Sequence, residues 1–248
     1  MLSLAGKHCI ITGGSRGIGL AIASLFASEG AVITLVGRNG DALARAAETL
    51  KHRTSSQDHA RQHNVHAMDV ASSDGWSSLL DATQKKNVDV LVNAAGVAQN
   101  SFLFKTTPAD IDSLVDINLK GTIRGCHAVI PKMMKQKSGC IINISSLLAT
   151  HAGKGASIYA ASKAGIVGLT RSLAWEVGRF GIRANVLLPG YIQTDMTKDM
   201  DAKGQLSATI PIGRLGLANE VAEAAAFLAK NTYAHNCVLN IDGGLSAT

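Results

Sequence analysis

Apolar runs of strand length recur along the chain with helix-patterned stretches between them, and this alternation limits the possible folds more than any other feature. The runs are HCIIT, VITLVG, VHAMDV, VDVLVNAAG, CIINISS, RANVLLPG and VLNIDGG. Several are apolar at consecutive positions, the pattern of a strand buried on both faces of a parallel sheet. The intervening GLAIASLFASEG, DALARAAETLKH, DIDSLVDINLKGTIRGCHAVIPKMMKQK, KAGIVGLTRSLAWEVGRFG and NEVAEAAAFLA place apolar residues at helical spacing, with Gly or Asn near several ends. Such a chain is α/β: a doubly wound parallel sheet with helices on both faces. Its 248 residues, 46% of them hydrophobic, suffice for one large core. No repeat or linker divides them, so residues 1–248 read as a single domain.

Composition removes several function classes. The net charge of +6 comes with only 4% aromatics and no long basic cluster, which argues against nucleic acid and fits an anionic cofactor or an acidic carrier. No apolar run approaches a membrane span, and MLSLAGKHCII enters a strand without the sections of a signal peptide. A soluble protein of the cytoplasm is expected, or of the mitochondrial matrix if a presequence has been removed. Cys9, Cys126, Cys140 and Cys237 are scattered without a C-x-x-C pair, as buried thiols in a reducing compartment are. In RTSSQDHARQHN and just beyond it, His59, His63 and His66 have metal-compatible spacing on a helix. No carboxylate or cysteine completes the set, and the stretch reads as a solvated loop, with no metal site expected.

After the first strand comes TGGSRGIG, in which Gly13, Gly17 and Gly19 form G-x-x-x-G-x-G around Ser15, Arg16 and Ile18. A glycine turn between strand and helix lets backbone approach a diphosphate, and the helix N-terminus adds N–H donors and positive potential. A nucleotide site is therefore expected. Its type is argued from the end of the second strand, LVGRN, where an NAD-selecting site carries an acid for the ribose 2′-hydroxyl. Gly37 occupies that place and Arg38 follows. A guanidinium suits a 2′-phosphate, with Arg16 as a second cation, so NADPH/NADP+ is the expected cofactor.

In SIYAASKAG, Tyr159 and Lys163 are four residues apart and share one face of a helix. An ammonium there favours the phenolate and lowers the tyrosine pKa, which makes a tunable proton donor.

These pieces together identify the chain as resembling the short-chain dehydrogenase/reductase family, of Rossmann type, over almost its whole length. The matching elements are TGGSRGIG, Asp69–Val70, NAAG (Asn93, Ala94, Ala95, Gly96), Asn118, Ser146, YAASK, PGYIQT (with Pro189, Gly190, Ile192 and Thr194) and IDGG. SRGIG, INIS, PGYIQTDMT and IPIGRLG are similar to 3-oxoacyl-[acyl-carrier-protein] reductases and related carbonyl reductases. The resemblance implies that Asp69 contacts adenine, that NAAG packs beside the ribose, and that Ile192 and Thr194 hold the carboxamide and diphosphate regions. It also implies a catalytic set: Ser146 bonds the substrate carbonyl, Tyr159 gives the proton, Lys163 tunes it and binds ribose, and Asn118 anchors a water. The expected reaction is reduction of a ketone, foremost a 3-oxoacyl thioester on acyl carrier protein or CoA. Hydroxysteroid, polyol or secondary-metabolite dehydrogenation is the alternative, and a third reading, an NADP-sensing protein without turnover, is opposed by the intact Ser146, Tyr159 and Lys163. Asn118 as a helix cap or kink, Ser145 in place of Ser146, and Asp69 as a turn residue stay open as simpler readings.

Carrier-protein reductases commonly have basic residues where Pro131 and Trp175 align, so Lys132, Lys135 and Arg171 are the candidates to compensate. His235 and Asn236 replace the usual Thr-Gly, and Asn tolerates the left-handed backbone. Two long apolar-striped helices, Asp110 to Lys137 and Tyr159 to Phe180, fit the homotetramer that the family implies. Residues 195–210, DMTKDMDAKGQLSATI, mix Met196, Met200 and Leu206 with Lys198, Asp199, Asp201 and Lys203, as a lid with an apolar underside would.

Overall fold

The computed structural model describes residues 3–51, 63–84, 86–99, 101–198, 200 and 204–247. Its strands are β1 (His8–Thr12), β2 (Val32–Gly37), β3 (Asn64–Ala67), β4 (Val90–Asn93), β5 (Gly139–Ile144), β6 (Ile182–Pro189), β7 (Ile192–Gln193), β8 (Gly216–Leu217) and β9 (Val238–Ile241). Between them run helices α1 (Gly17–Ser28), α2 (Gly40–Lys51), α3 (Ser73–Ala82), α4 (Pro108–Val115), α5 (Gly121–Gln136), α6 (Ser157–Val177) and α7 (Ala218–Lys230).

Seven of the strands form one parallel sheet in the order β3-β2-β1-β4-β5-β6-β9, and β7 pairs with β8 beside it. Side chains alternate across a strand, so neighbours in sequence feed different layers. Ile11, Ile33 and Leu35 join Ile22 and Phe26 of α1, Leu43 and Leu50 of α2, and Val221 and Leu228 of α7. Ile10, Leu91 and Ile141 face the other way, onto Trp76, Leu79, Val129, Met133 and Leu173. Each such fully buried Leu or Ile contributes roughly 1.5–3 kcal/mol, which explains why the consecutive apolar runs build the sheet centre. The exception is β3, an edge strand with Asn64, Val65 and Ala67 exposed.

Helix starts follow local chemistry. Ser72 accepts from the Gly75 N–H at α3, and Thr107 accepts from the Asp110 N–H at α4 with Pro108 in its first turn. The expected single helix from Asp110 to Lys137 is not continuous: Asp116–Lys120 forms a π-helical turn between α4 and α5. The apolar periodicity runs through this stretch unbroken, so the inserted residue leaves no mark in the sequence pattern. Likewise α6 ends at Val177, with a 3-10 turn over Gly178–Phe180. On the outer faces Ile123 and Trp175 remain exposed.

The unusual His235–Asn236 pair has a structural explanation. Asn236 adopts φ 57°, the left-handed geometry that Asn tolerates. His235 Nδ1 accepts from the Ala184 N–H at 3.1 Å, so Nε2 carries the proton and donates to the Ala174 carbonyl at 3.0 Å. The ring thus fastens β6 to α6. Nearby, the Arg183 guanidinium donates to the carbonyls of Leu228, Ala229 and Ala234, satisfying the C-terminal end of α7.

Candidate active site

The strand order reverses between β1 and β4, the place where open parallel sheets form a crevice at their carboxyl ends. A cavity of about 640 Å³ opens there, lined by Gly13, Ser15, Arg16, Gly17, Ile18, Gly19, Arg38, Asp69, Val70, Ala94, Ala95, Gly96 and Thr194. Gly13 has φ +65°, and a Cβ there would lie 2.8 Å from the Ala94 carbonyl oxygen. A Cβ on Gly19 would lie 2.3 Å from the Gly13 oxygen. The turn is thus packed backbone on backbone, and α1 starts with no side chain capping its N–H groups. Unpaired N–H donors at a glycine cradle fit the diphosphate of a dinucleotide.

At the far end of this groove, Gly37 closes β2 and a Cβ there would meet only Leu43 Cδ2 at 3.5 Å. Space therefore does not forbid an acid at this position. Arg38 is exposed and has no hydrogen-bond or ion-pair partner among the described residues. Arg16 instead lies 3.5 Å from Asp195 across the groove.

A second cavity of about 690 Å³ adjoins the first, with Ser145, Ser146, Tyr159, Lys163, Pro189, Gly190, Ile192 and Thr194 in its wall. Helix α6 presents Tyr159 and Lys163 on one face, with the Lys163 Nζ 5.7 Å from the Tyr159 ring centroid. Lys163 is 5% exposed and donates to the Ile144 carbonyl at 2.9 Å. Burial pushes its pKa down to about 8. Burial also raises the Tyr159 pKa, opposed by a hydrogen bond with the Ser146 hydroxyl and assisted by Tyr191. The Tyr159 pKa is thus raised where the Lys163 pairing led one to expect a lowering: desolvation of the phenolate outweighs the Ser146 hydrogen bond, and Lys163 is not among the groups that move it.

The choice between the two serines is geometric. Ser145 donates to the Lys163 carbonyl at 2.7 Å, which ties β5 to α6, while Ser146 faces Tyr159. Asn118 sits fully buried in the π-helical turn. Its Oδ1 accepts from the Val97 N–H at 2.8 Å, and its Nδ2 donates to the Val97 carbonyl at 3.0 Å and to Ser162 at 3.3 Å. A π turn re-aims one side chain without ending the helix, and here it turns Asn118 toward the loop after β4. A Cβ on Gly96 would lie 3.2 Å from Asn118 Oδ1 and 3.5 Å from Lys163 Nζ, so these groups converge on one spot.

With this geometry in place, similarity to known proteins is decisive. The short chain dehydrogenase family profile matches residues 7–205. The chain belongs to the short-chain dehydrogenase family. It is accordingly an oxidoreductase that works with a nicotinamide cofactor. It is 40% identical to the 3-oxoacyl-[acyl-carrier-protein] reductase FabG of Chlamydia trachomatis, over 98% of each chain. It is 38% identical to carbonyl reductase family member 4 of Xenopus laevis, over 96% of this chain and 98% of that one. Among solved structures it is similar to one described as an NAD(P)-dependent gluconate 5-dehydrogenase from Beutenbergia cavernae with bound NADP. The TM-score is 0.92 at 32% identity, covering 99% of each chain.

Within this short-chain dehydrogenase, not every anticipated residue faces the crevice. Asn93 is buried and donates to Asn143 at 2.9 Å, and Asn143 donates on to Thr170 at 2.9 Å. Its side chain serves a polar ladder between β4, β5 and α6, because an amide inside the sheet must be satisfied there. Asp69 lines the groove and is also a turn residue, accepting from the Ala71 N–H at 2.8 Å. Lys132 is unavailable to compensate for Pro131, since it donates to the carbonyls of Thr83 and Gln84 at the end of α3. Met196 and Met200 line this second cavity, whereas Asp199, Asp201 and Lys203 lie outside the described residues. His59 does too, and His63 Nδ1 accepts from the Ile33 N–H at 3.1 Å.

One residue had no sequence signal. Helix α6 has Ala156 at its N-cap with no side-chain cap of its own. Gln99 Oε1 fills that role from the loop after β4, accepting from the N–H groups of Ile158 at 2.8 Å and Tyr159 at 3.0 Å. A cap delivered across such a sequence separation follows no short motif.

Proposed function

We propose that this oxidoreductase uses NADPH to reduce the ketone of a 3-oxoacyl thioester to the secondary alcohol. The observation that carries this reading is the convergence of Ser146, Tyr159 and Lys163 in a cavity that adjoins the glycine cradle. The cradle, Asp69 and Arg38 would hold NADPH, which supplies the hydride. Ser146 then hydrogen-bonds the carbonyl oxygen, where negative charge develops. Tyr159, a phenol whose pKa burial raises further, donates the proton to that oxygen. Lys163 places a buried positive charge beside the phenol as the proton departs. Asn118, held against Val97, keeps the loop after β4 in register with α6. The apolar wall of Phe102, Leu147, Leu148, Met196 and Met200 suits an acyl chain better than a polyol. Turnover with NADPH of acetoacetyl thioesters, diketones, a steroid ketone and a keto-sugar acid tests the reading. The thioesters should have the highest kcat/KM, and a clear preference for the sugar acid would replace this substrate class.

The lowered pKa of Lys163 gives the reaction a pH signature. Below about 8 the amine is charged, and above it the charge is lost. In the reductive direction kcat/KM for NADPH should hold level up to that pH and then fall by as much as about tenfold per pH unit. A level profile well above pH 8 would remove the charged lysine from the mechanism.

A further inference from the structure

The substrate cavity opens beside the short helical turn Leu103–Lys105, where Phe102 and Phe104 stack with centroids 5.6 Å apart and planes at 11°. Both rings are exposed, Phe104 at 81%. Lys154 Nζ lies 5.7 Å from the Phe102 centroid and Lys105 Nζ 5.8 Å from that of Phe104. Phe102, Lys105 and Lys154 are part of the cavity wall. Neither lysine has an ion-pair partner among the described residues, and the nearby Asp110 carboxylate is engaged by the Thr107 hydroxyl. A stacked aromatic pair left in water, flanked by free cations at a cavity mouth, is an unpartnered binding surface.

The turn is also mounted on the reacting centre. Gln99, which caps α6 at Tyr159, donates from Nε2 to the Ser101 carbonyl at 2.9 Å. The distance from Tyr159 to the aromatic turn is thereby fixed through one side chain. A substrate held at Tyr159 that extends out of the cavity therefore passes the rings, where an apolar stretch would pack, and an anionic group at its outer end would meet the lysines.

We propose that Phe102, Phe104, Lys105 and Lys154 form the subsite for the phosphopantetheine arm of the substrate, the lysines taking its phosphate and the rings its amide-linked chain. The inference rests on the thioester reading given above. Coenzyme A and an acyl carrier protein share this phosphate, so the site serves the chemistry common to both. It also supplies positive charge where Pro131, Trp175 and the committed Lys132 do not.

The test compares acetoacetyl-4′-phosphopantetheine with acetoacetyl-pantetheine, which lacks only the phosphate, on the parent enzyme and on the Lys105→Gln/Lys154→Gln variant. In the parent, kcat/KM should be about tenfold higher with the phosphate, the size of a partly exposed charge-assisted contact. In the variant that ratio should collapse toward one. Acetoacetyl-CoA and acetoacetyl-carrier protein should both lose rate in parallel with the phosphopantetheine compound. Equal use of the two short thioesters by the parent, or a ratio retained in the variant, overturns the subsite. A loss confined to CoA or to carrier protein also overturns it, pointing to the adenosine end or the protein surface instead. A parent enzyme that reduces none of the thioesters defeats the thioester reading itself.

Discussion

Tyr159→Phe should bind NADPH about as well as the parent protein and turn over roughly 10²–10⁴-fold more slowly, the range that a positioned general acid contributes. The ring that packs in the cavity wall is kept and only the hydroxyl is lost. The two quantities therefore separate: fluorescence titration with NADPH reads binding, and steady-state kcat reads the proton. Lys163→Ala should differ in kind. It removes a buried cation and leaves the Ile144 carbonyl without its donor, so binding and turnover should fall together. If Tyr159→Phe kept most of its rate, the proton would have to come from elsewhere in the cavity, where Tyr191 supplies a second phenol in the wall.

The second large effect concerns the adenosine end of the groove. Because Arg38 is exposed and has no partner among the described residues while Arg16 is close to Asp195, Arg38 is the guanidinium better placed for a 2′-phosphate. Arg38→Asp replaces attraction with repulsion there and adds an acid suited to a 2′-hydroxyl. The parent should prefer NADPH to NADH by about tenfold or more, and the variant should lose or reverse that preference, a change of at least one charge-assisted contact. Calorimetry with 2′,5′-ADP and 5′-AMP reads the same selection with no turnover involved. Equal affinity of the parent for the two nucleotides would defeat the assignment.

The parts of this fold that were legible beforehand are those in which one physical cause dominates a short stretch. HCIIT, VITLVG and CIINISS are apolar at successive positions because both faces are covered, and they form β1, β2 and β5. TGGSRGIG was readable as a cradle because Gly13 and Gly19 leave no room for a Cβ. Asn236 was readable because few residues accept its backbone angles. What escaped depends on partners distant in sequence. The π turn at Asn118 goes with how one side chain meets the Val97 backbone, and Gln99 acts on a helix reached only after α4, α5 and β5. Asn93 belongs to a recognisable motif, yet its direction is set by Asn143 and Thr170. Lys132 is by its position a candidate to compensate for Pro131, but the carbonyls just past α3 lie within its reach.

The position of β9 beside β6 also orders how the molecule is finished in time. The backbone leaving β6 is held by the bond from Gly190 N–H to the Ile241 carbonyl, and Pro189 is in register with Ile241. Among the strands of the main sheet, β9 is the last to leave the ribosome. The glycine cradle needs only β1, α1, β2 and β4, all made in the first half of synthesis. A nascent chain can therefore complete the floor of its groove early, whereas the wall from Pro189 to Thr194 lacks its final anchor until β9 arrives.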